Sequence, residues 1–179
     1  MSEAPPSRRL FFALWPEPGL QREAAALASR HVQARRPVPE QRLHVTLVFL
    51  GSLEAPQEQR ARAAAGRVAG EPFELRLDRL GHWAGRGISW LAPSRVPPPL
   101  VELQGRLQRA LEQEGFEPER RRFHPHMTLA RQAGPHRYLD MQPLIWPVRA
   151  FHLIWSRNDP GAVRYQAVAC WPLDATGGG

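Results

Sequence analysis

The sequence contains one cysteine, no lysine and only three threonines among its 179 residues. With Cys170 alone, the chain forms no internal disulfide and no metal site built from several cysteines, so packing must hold the fold together. A reducing, cytoplasmic location is therefore expected. The longest apolar runs, 10–15 and 45–50, are far shorter than the roughly 20 residues that span a bilayer. No membrane span is predicted.

Arginine supplies all 24 basic residues, against 17 acidic residues, which gives a net charge of +7. Guanidinium groups make planar, bidentate contacts with phosphate oxygens, so this excess suits an anionic partner. The alternative is that a basic surface merely keeps a small protein soluble, and charge alone does not separate the two. With 42% hydrophobic and 23% charged residues, the composition is typical of a chain with a buried core.

Apolar periodicity predicts three helices and several strands that are connected by hairpins. The helices are expected over about 18–35, 55–69 and 100–115, each with small or apolar residues on one stripe. The strands are expected over about 9–15, 43–50, 73–78, 88–92, 123–131, 148–155 and 163–171,. Because hairpins are frequent, an α+β fold with antiparallel sheets is favoured over a doubly wound parallel sheet.

The length and the loops indicate one domain. The proline-rich segment 93–99 is short enough to be a loop, so residues 1–173 are expected to form one domain of two similar lobes,. The remaining residues, 174–179, are expected to be a disordered tail,. Nothing in the sequence indicates an obligate protein partner, and a monomer is expected.

Two tetrapeptides share one pattern: His44-Val45-Thr46-Leu47 and His126-Met127-Thr128-Leu129. With 7 histidines and 3 threonines in the chain, chance predicts roughly 0.1 His-x-Thr pairs, so the duplication indicates function rather than two structural histidines. Residues i and i+2 of a strand project from one face, which places each imidazole beside a hydroxyl. Two such pairs across a cleft supply the groups for metal-free acid–base chemistry on a phosphate.

The segments 9–13, 44–51 and 123–131 resemble the two-histidine phosphoesterases, and most closely the RNA 2′,3′-cyclic phosphodiesterases, also called 2′-5′ RNA ligases. The resemblance implies a bilobal fold in which two antiparallel β-sheets, flanked by helices, border a central cleft with one motif per lobe. It also implies an enzyme without metal or other cofactor. This enzyme hydrolyses the 2′,3′-cyclic phosphate at an RNA end to a 2′-phosphate, and its reverse activity is an ATP-independent 2′-5′ RNA ligation.

The resemblance also implies roles for single residues. His44 matches the proton donor to the leaving 3′-oxygen, and His126 matches the proton acceptor that activates water. The residues matching those that hold the phosphate oxygens are Thr46, Thr128 and Arg131. The sequence alone does not decide which histidine is the acid and which is the base, because the two motifs contain the same reacting groups. In the reverse reaction the two roles exchange.

Three further features bear on the site. Strict alternation would place Arg131 opposite His126, so Arg131 reaches the cleft only if the strand ends or bulges near residue 130. Phe11 and Phe12 alternate across the first strand, so one is expected in the core and the other is a candidate for stacking on a base. The basic run 120–122 suits a solvated face as well as an RNA backbone,, and His124 is interpreted as structural.

Two alternatives are compatible with the same residues. The first is a phosphodiesterase that acts on small cyclic nucleotides or on ADP-ribose cyclic phosphate. The second belongs to another class: a non-catalytic module that binds RNA ends, against which both intact His/Thr pairs argue. A metal site is not predicted, because His124, His126 and His152 lack accompanying Asp, Glu or Cys residues in a ligand spacing,.

Overall fold

The computed structural model describes residues 7–117, 119–136 and 138–174, which contain three α-helices and nine β-strands. The strands are β1 (Arg8–Leu14), β2 (Ala34–Pro37), β3 (Val45–Leu53), β4 (Phe73–Trp83), β5 (Ile88–Ala92), β6 (Met127–Ala133), β7 (Leu139–Val148), β8 (Ala150–Asp159) and β9 (Ala162–Pro172). The helices are α1 (Pro18–His31), α2 (Ala55–Gly66) and α3 (Pro98–Gln113). The predicted α+β class is confirmed.

All the strands belong to one antiparallel sheet, in the order β7-β4-β5-β6-β3-β1-β8-β9, with β2 pairing to β6 beside this path. A single residue pair, Val45 with Met127, joins β3 to β6 at the centre. The expected two separate sheets are therefore corrected to two halves of one sheet, β3, β1, β8 and β9 on one side and β7, β4, β5, β6 and β2 on the other. Without this pairing, β3 and β6 would each be an edge strand with unpaired backbone hydrogen-bonding groups. Their pairing where the motifs begin satisfies some of these groups.

The helices and the sheet enclose the main core. Helices α2 and α3 pack against each other and against β3, and α1 packs against β6 and β7. The apolar stripe expected on the third helix is confirmed, because its five members are buried: Leu100, Leu103, Leu107, Ala110 and Leu111. The same core buries Leu47 and Leu129, the leucines of the two motifs. Each motif is thereby anchored by burial of its leucine.

Two strands were not predicted. Helix α1 ends at His31 rather than at residue 35, and the next residues form β2, which has no buried residue. Strand β7 contains Pro143 and Pro147, and proline within a run argues against a strand in sequence analysis. Strand β2 is defined by its backbone pairing with β6 alone, whereas β7 pairs with β4 and also buries Leu144, Trp146 and Val148 in alternation.

The first residue of the expected disordered tail is bonded to the folded domain. Asp174, the first residue of the expected tail, donates its backbone N–H to the Gly70 carbonyl at 3.0 Å. The rest of that tail, 175–179, lies outside the described residues. None of the helices in the described parts of the chain has the length and apolarity needed to cross a bilayer.

Candidate active site

Each motif histidine is oriented by the carbonyl group two residues before it. His44 Nδ1 donates to the Arg42 carbonyl at 2.6 Å, and His126 Nδ1 donates to the His124 carbonyl at 2.7 Å. Because a carbonyl oxygen only accepts, Nδ1 must carry the proton in both neutral rings. Nε2 is then the basic nitrogen of each imidazole. In His44 this atom lies 3.1 Å from Oγ1 of Thr46.

A β-bulge follows the threonine in both motifs. The register of β3 against β1 skips Leu47, and the register of β6 against β5 skips Leu129. A bulge shifts the alternation of side chains by one residue, so Arg131 projects to the same side as Thr128, and both line one cavity. The bulge that the sequence analysis required for Arg131 is present, one residue before the position expected for it.

Phe49 stands five residues after His44, as Arg131 stands five residues after His126. The bulge in β3 directs this side chain to the same cavity, where the ring is 54% exposed. The guanidinium of Arg9 lies over the ring, 4.8 Å from its centroid. Sequence analysis missed Phe49, and the signal that points to it is the five-residue spacing shared with Arg131.

The cavity has a volume of about 1160 Å³ and brings together four of the predicted site residues: Thr46, His126, Thr128 and Arg131. His44 is not on its wall but lies behind Thr46, one hydrogen bond away. The positive charges of His126 and Arg131 act on the pKa of His44, although less strongly than burial does. The structure therefore assembles residues from both motifs at the junction of β3 and β6.

Both imidazoles are weaker bases than a free histidine side chain. Burial lowers the pKa of His44 to about 4, and the neighbouring charges of His126, Arg42 and Arg131 act in the same direction. The pKa of His126 is also lowered, first by burial and then by the charges of His124 and Arg131. Both rings are therefore mainly neutral at pH 7. A phosphate bound between them favours their protonated forms, because opposite charges attract.

Aromatic rings surround the two histidines. Trp15 stacks on His44 at a centroid distance of 5.7 Å and an interplanar angle of 17°. The ring of Tyr165 meets the same imidazole edge-on at 5.5 Å, and Trp83 meets His126 edge-on at 4.7 Å. These rings are the weakly polar surroundings that disfavour an imidazolium. None of the three was predicted as a site residue, because their positions depend on tertiary contacts.

Neither phenylalanine of β1 is free to stack on a base. Phe12 is fully buried and packs against Phe151 and Trp171. Phe11 is 4% exposed, and its ring lies 5.0 Å from that of His44. Strand β1 is central, with β3 and β8 on its two sides, and both of its faces are covered. The stacking role expected for one of these two residues is therefore corrected, since Phe49 has the exposed ring.

The basic run borders the cavity. Arg121 and Arg122 line it together with His124. Arg121 forms a bidentate ion pair with Glu119, with distances of 3.1 Å from Nε to Oε1 and 2.9 Å from Nη2 to Oε2. Its charge is thus partly balanced. Across the described ranges, no three or more His, Cys, Asp or Glu side chains form a group that could hold a metal ion.

Comparison with known proteins places this architecture in a family. A model of the 2′-5′ RNA ligase superfamily matches residues 16–160. The RNA 2′,3′-cyclic phosphodiesterase of Escherichia coli K12 is 32% identical over 170 residues, which cover 93% of this chain and 97% of that protein. A protein of the same name from Thermus thermophilus is 32% identical over 184 residues, which cover 92% of this chain and 90% of that protein.

A solved structure agrees with these sequence matches. The crystal structure of E. coli LigT complexed with 3′-AMP matches with a TM-score of 0.84 and 31% identity, covering 93% of this chain and 98% of that one. The match therefore includes both halves of the sheet and the junction at which the motifs meet. On this evidence of sequence, fold and paired motifs, the chain belongs to the 2′-5′ RNA ligase superfamily.

Proposed function

We propose that the protein hydrolyses 2′,3′-cyclic phosphates at RNA ends and leaves a 2′-phosphate. One observation carries the proposal: the imidazole of His126, two hydroxyls and one guanidinium line a single cavity, and the second imidazole, that of His44, lies one hydrogen bond from its wall. These groups match the needs of an anionic diester whose phosphorus must form a bond to water and release a sugar oxygen. The similar proteins from E. coli and T. thermophilus are RNA 2′,3′-cyclic phosphodiesterases by name, which supports RNA as the substrate.

The two histidines move the protons in this reaction. Nε2 of His126 accepts a proton from water while the water oxygen bonds to phosphorus. Nε2 of His44, in its protonated form, donates a proton to the 3′-oxygen as the bond from phosphorus to that oxygen breaks. The carbonyl groups that hold both Nδ1 atoms support the choice of Nε2 as the reacting nitrogen of each ring, because they leave that atom for proton transfer,. Exchange with solvent then restores the starting protonation.

The remaining groups hold the phosphate. Negative charge increases on the non-bridging oxygens as water adds, so donors aimed at them stabilise the transition state more than the substrate. The Arg131 guanidinium supplies a fixed charge, and the hydroxyls of Thr46 and Thr128 supply neutral donors. An RNA 5′-hydroxyl in the place of water gives a 2′-5′ linkage by the same route. That ligation needs no ATP, since the cyclic phosphate already holds an activated diester.

The proposal is tested with an oligoribonucleotide that ends in a 2′,3′-cyclic phosphate, incubated with the protein in excess EDTA. We expect complete conversion to a 2′-phosphate, identified by phosphorus NMR, with no loss of rate on chelation. If the protein hydrolyses only mononucleotide or ADP-ribose cyclic phosphates, its substrates are small molecules rather than RNA. Tight, salt-dependent RNA binding by the folded protein without turnover would identify a binding module instead.

The lowered pKa values predict that kcat/KM is highest below neutral pH. The free enzyme needs His44 protonated and His126 neutral, and the product of these two fractions is largest between the two pKa values, both of which are lowered below 6.5,. In the complex, the anionic substrate raises both pKa values, so kcat should persist to higher pH than kcat/KM. Steady-state kinetics across the pH range measure both profiles. A kcat/KM that peaks above neutrality contradicts this prediction.

Substitution of Phe49 by alanine is expected to lower kcat/KM by about 5- to 150-fold, the equivalent of losing one base–aromatic stack. The reason is that its ring is the exposed aromatic surface beside the catalytic groups. Phe49→Tyr keeps the ring and should retain most of the activity. Val101→Ala is the matched control, because Val101 is similarly exposed, at 51%, and lies outside the cavity. Equal kinetics for Phe49→Ala and Val101→Ala would exclude stacking.

A further inference from the structure

The cavity extends well beyond the catalytic groups. Its volume of about 1160 Å³ exceeds the roughly 300–1,000 Å³ of pockets that enclose one drug-sized ligand, and a mononucleoside cyclic phosphate is of that size. Phe49 lies at the β3 end of the cavity. From β6 the cavity continues in the other direction, over β5 and β4, where residues of the 84–86 turn and the β6–β7 connection line it.

Tyr138 presents a fixed aromatic ring at that second end. Its side chain is exposed at 62%, yet its hydroxyl donates to the His82 carbonyl at 3.2 Å. The ring also meets Trp90 edge-on at 5.9 Å. A ring that is anchored at its hydroxyl and along its edge loses little entropy when a ligand covers its face. Such surfaces stack with the unpaired bases of single-stranded RNA.

Arg86 adds a cation at the same end of the cavity. Within the part of the chain that the structure describes, no carboxylate lies within ion-pairing distance of its guanidinium. Arg121 differs, because Glu119 pairs with it, and Glu119 also lines the neighbouring hollow that contains Phe49. An exposed guanidinium without a carboxylate partner suits a phosphodiester. The observations therefore favour the Tyr138 end over the Phe49 end of the cavity as the place where a further nucleotide of the RNA binds.

We propose that Tyr138 and Arg86 form a second nucleotide subsite, which binds the nucleotide on the 5′ side of the one carrying the cyclic phosphate. Tyr138 stacks on the base of that nucleotide, and Arg86 binds the phosphodiester that joins it to the terminal nucleotide. This inference rests on the proposed function. Its consequence is selectivity for chain length: the enzyme acts better on RNA of two or more nucleotides than on a mononucleotide.

The test compares kcat/KM for adenosine 2′,3′-cyclic phosphate with kcat/KM for the diadenosine dinucleotide that ends in the same group. For the unsubstituted protein we expect a dinucleotide-to-mononucleotide ratio of about 5 to 150, the range of one stacking interaction. Tyr138→Ala should lower this ratio towards 1, mainly through KM, because binding rather than chemistry is lost. Arg86→Ala should lower the ratio and also weaken its dependence on salt.

Two further variants separate the subsite from general effects. Tyr138→Phe removes the hydroxyl but keeps the ring, and should keep most of the ratio. Arg95→Ala removes an exposed arginine outside the cavity and should leave the ratio unchanged. Loss of the ratio in Phe49→Ala, with Tyr138→Ala unaffected, would place the second nucleotide at the Phe49 end and overturn the inference.

The outcomes for the unsubstituted protein distinguish this inference from the proposed function. Equal kcat/KM for the mononucleotide and the dinucleotide would overturn the subsite while leaving cyclic phosphodiesterase activity in place. Failure of the folded protein to hydrolyse either compound would contradict the proposed function, and the subsite with it.

Discussion

Replacement of either motif histidine by alanine is expected to lower kcat by about 10²- to 10⁴-fold, because each removes a group that transfers a proton in the transition state. His44→Ala leaves the 3′-oxygen without its donor, and His126→Ala leaves water without its base. The double variant should be little worse than either single one, since the two groups act in the same step. His31→Ala is the control, because His31 is exposed at the end of α1 and lies outside the cavity.

The pH profiles of the two variants assign the roles. Loss of the base should remove the acidic limb of the kcat/KM profile, and loss of the acid should remove its alkaline limb. We therefore expect His126→Ala to lose the acidic limb and His44→Ala to lose the alkaline one. A substrate whose leaving 3′-atom is sulfur needs no proton on departure, so it should restore rate to His44→Ala alone. Variants that keep kcat within a few-fold would rule out this mechanism.

Replacement of Arg131 by alanine is expected to lower kcat by about 10²- to 10³-fold, the effect of losing one preorganised donor to a developing oxyanion. Arg131→Lys keeps the charge but not the planar pair of donors, so it should recover only part of the rate. The comparison variant is Arg149→Ala, which removes an exposed arginine outside the cavity. Equal losses of kcat in Arg131→Ala and Arg149→Ala would argue against phosphate binding by Arg131.

The same substitution makes a second, electrostatic prediction. Burial lowers the pKa values of both histidines most, and the charge of Arg131 lowers them further as the smallest of the named contributions. Its removal should raise both pKa values and move both limbs of the kcat/KM profile to higher pH. Arg131→Lys, which retains a cation, should move them less. A merely structural role for Arg131 predicts a loss of activity without this shift.

The sequence was informative where local pattern decides structure. The stripe of α3 and the duplicated motif followed from spacing alone, because a helix face and a strand face each have a fixed period. The junction of the two halves did not follow, because the pairing of Val45 with Met127 is a contact between distant segments. The bulges at Leu47 and Leu129 also depend on the register between two strands, which no single segment specifies.

The aromatic residues were the least predictable part of the site. Adjacent phenylalanines in β1 suggested one exposed ring, yet side chains packed on both faces of that strand bury both rings. Phe49 and Tyr138, whose rings are exposed in the cavity, occur in segments of ordinary composition. Exposure of an aromatic side chain is a property of the assembled fold. Residue type and spacing can identify the reacting groups, whereas the surfaces that bind the rest of the substrate require the structure.

The bulge after each threonine gives the site an approximate twofold symmetry that one position breaks. Each motif contributes an imidazole and a hydroxyl, but its fifth residue after the histidine is an aromatic ring at Phe49 and a cation at Arg131. A nucleotide has a flat base on one side of the ribose and a charged phosphate on the other. Under the proposed function it would fit between these two side chains in one orientation, and this single difference would let a nearly symmetric centre distinguish the polarity of an RNA strand.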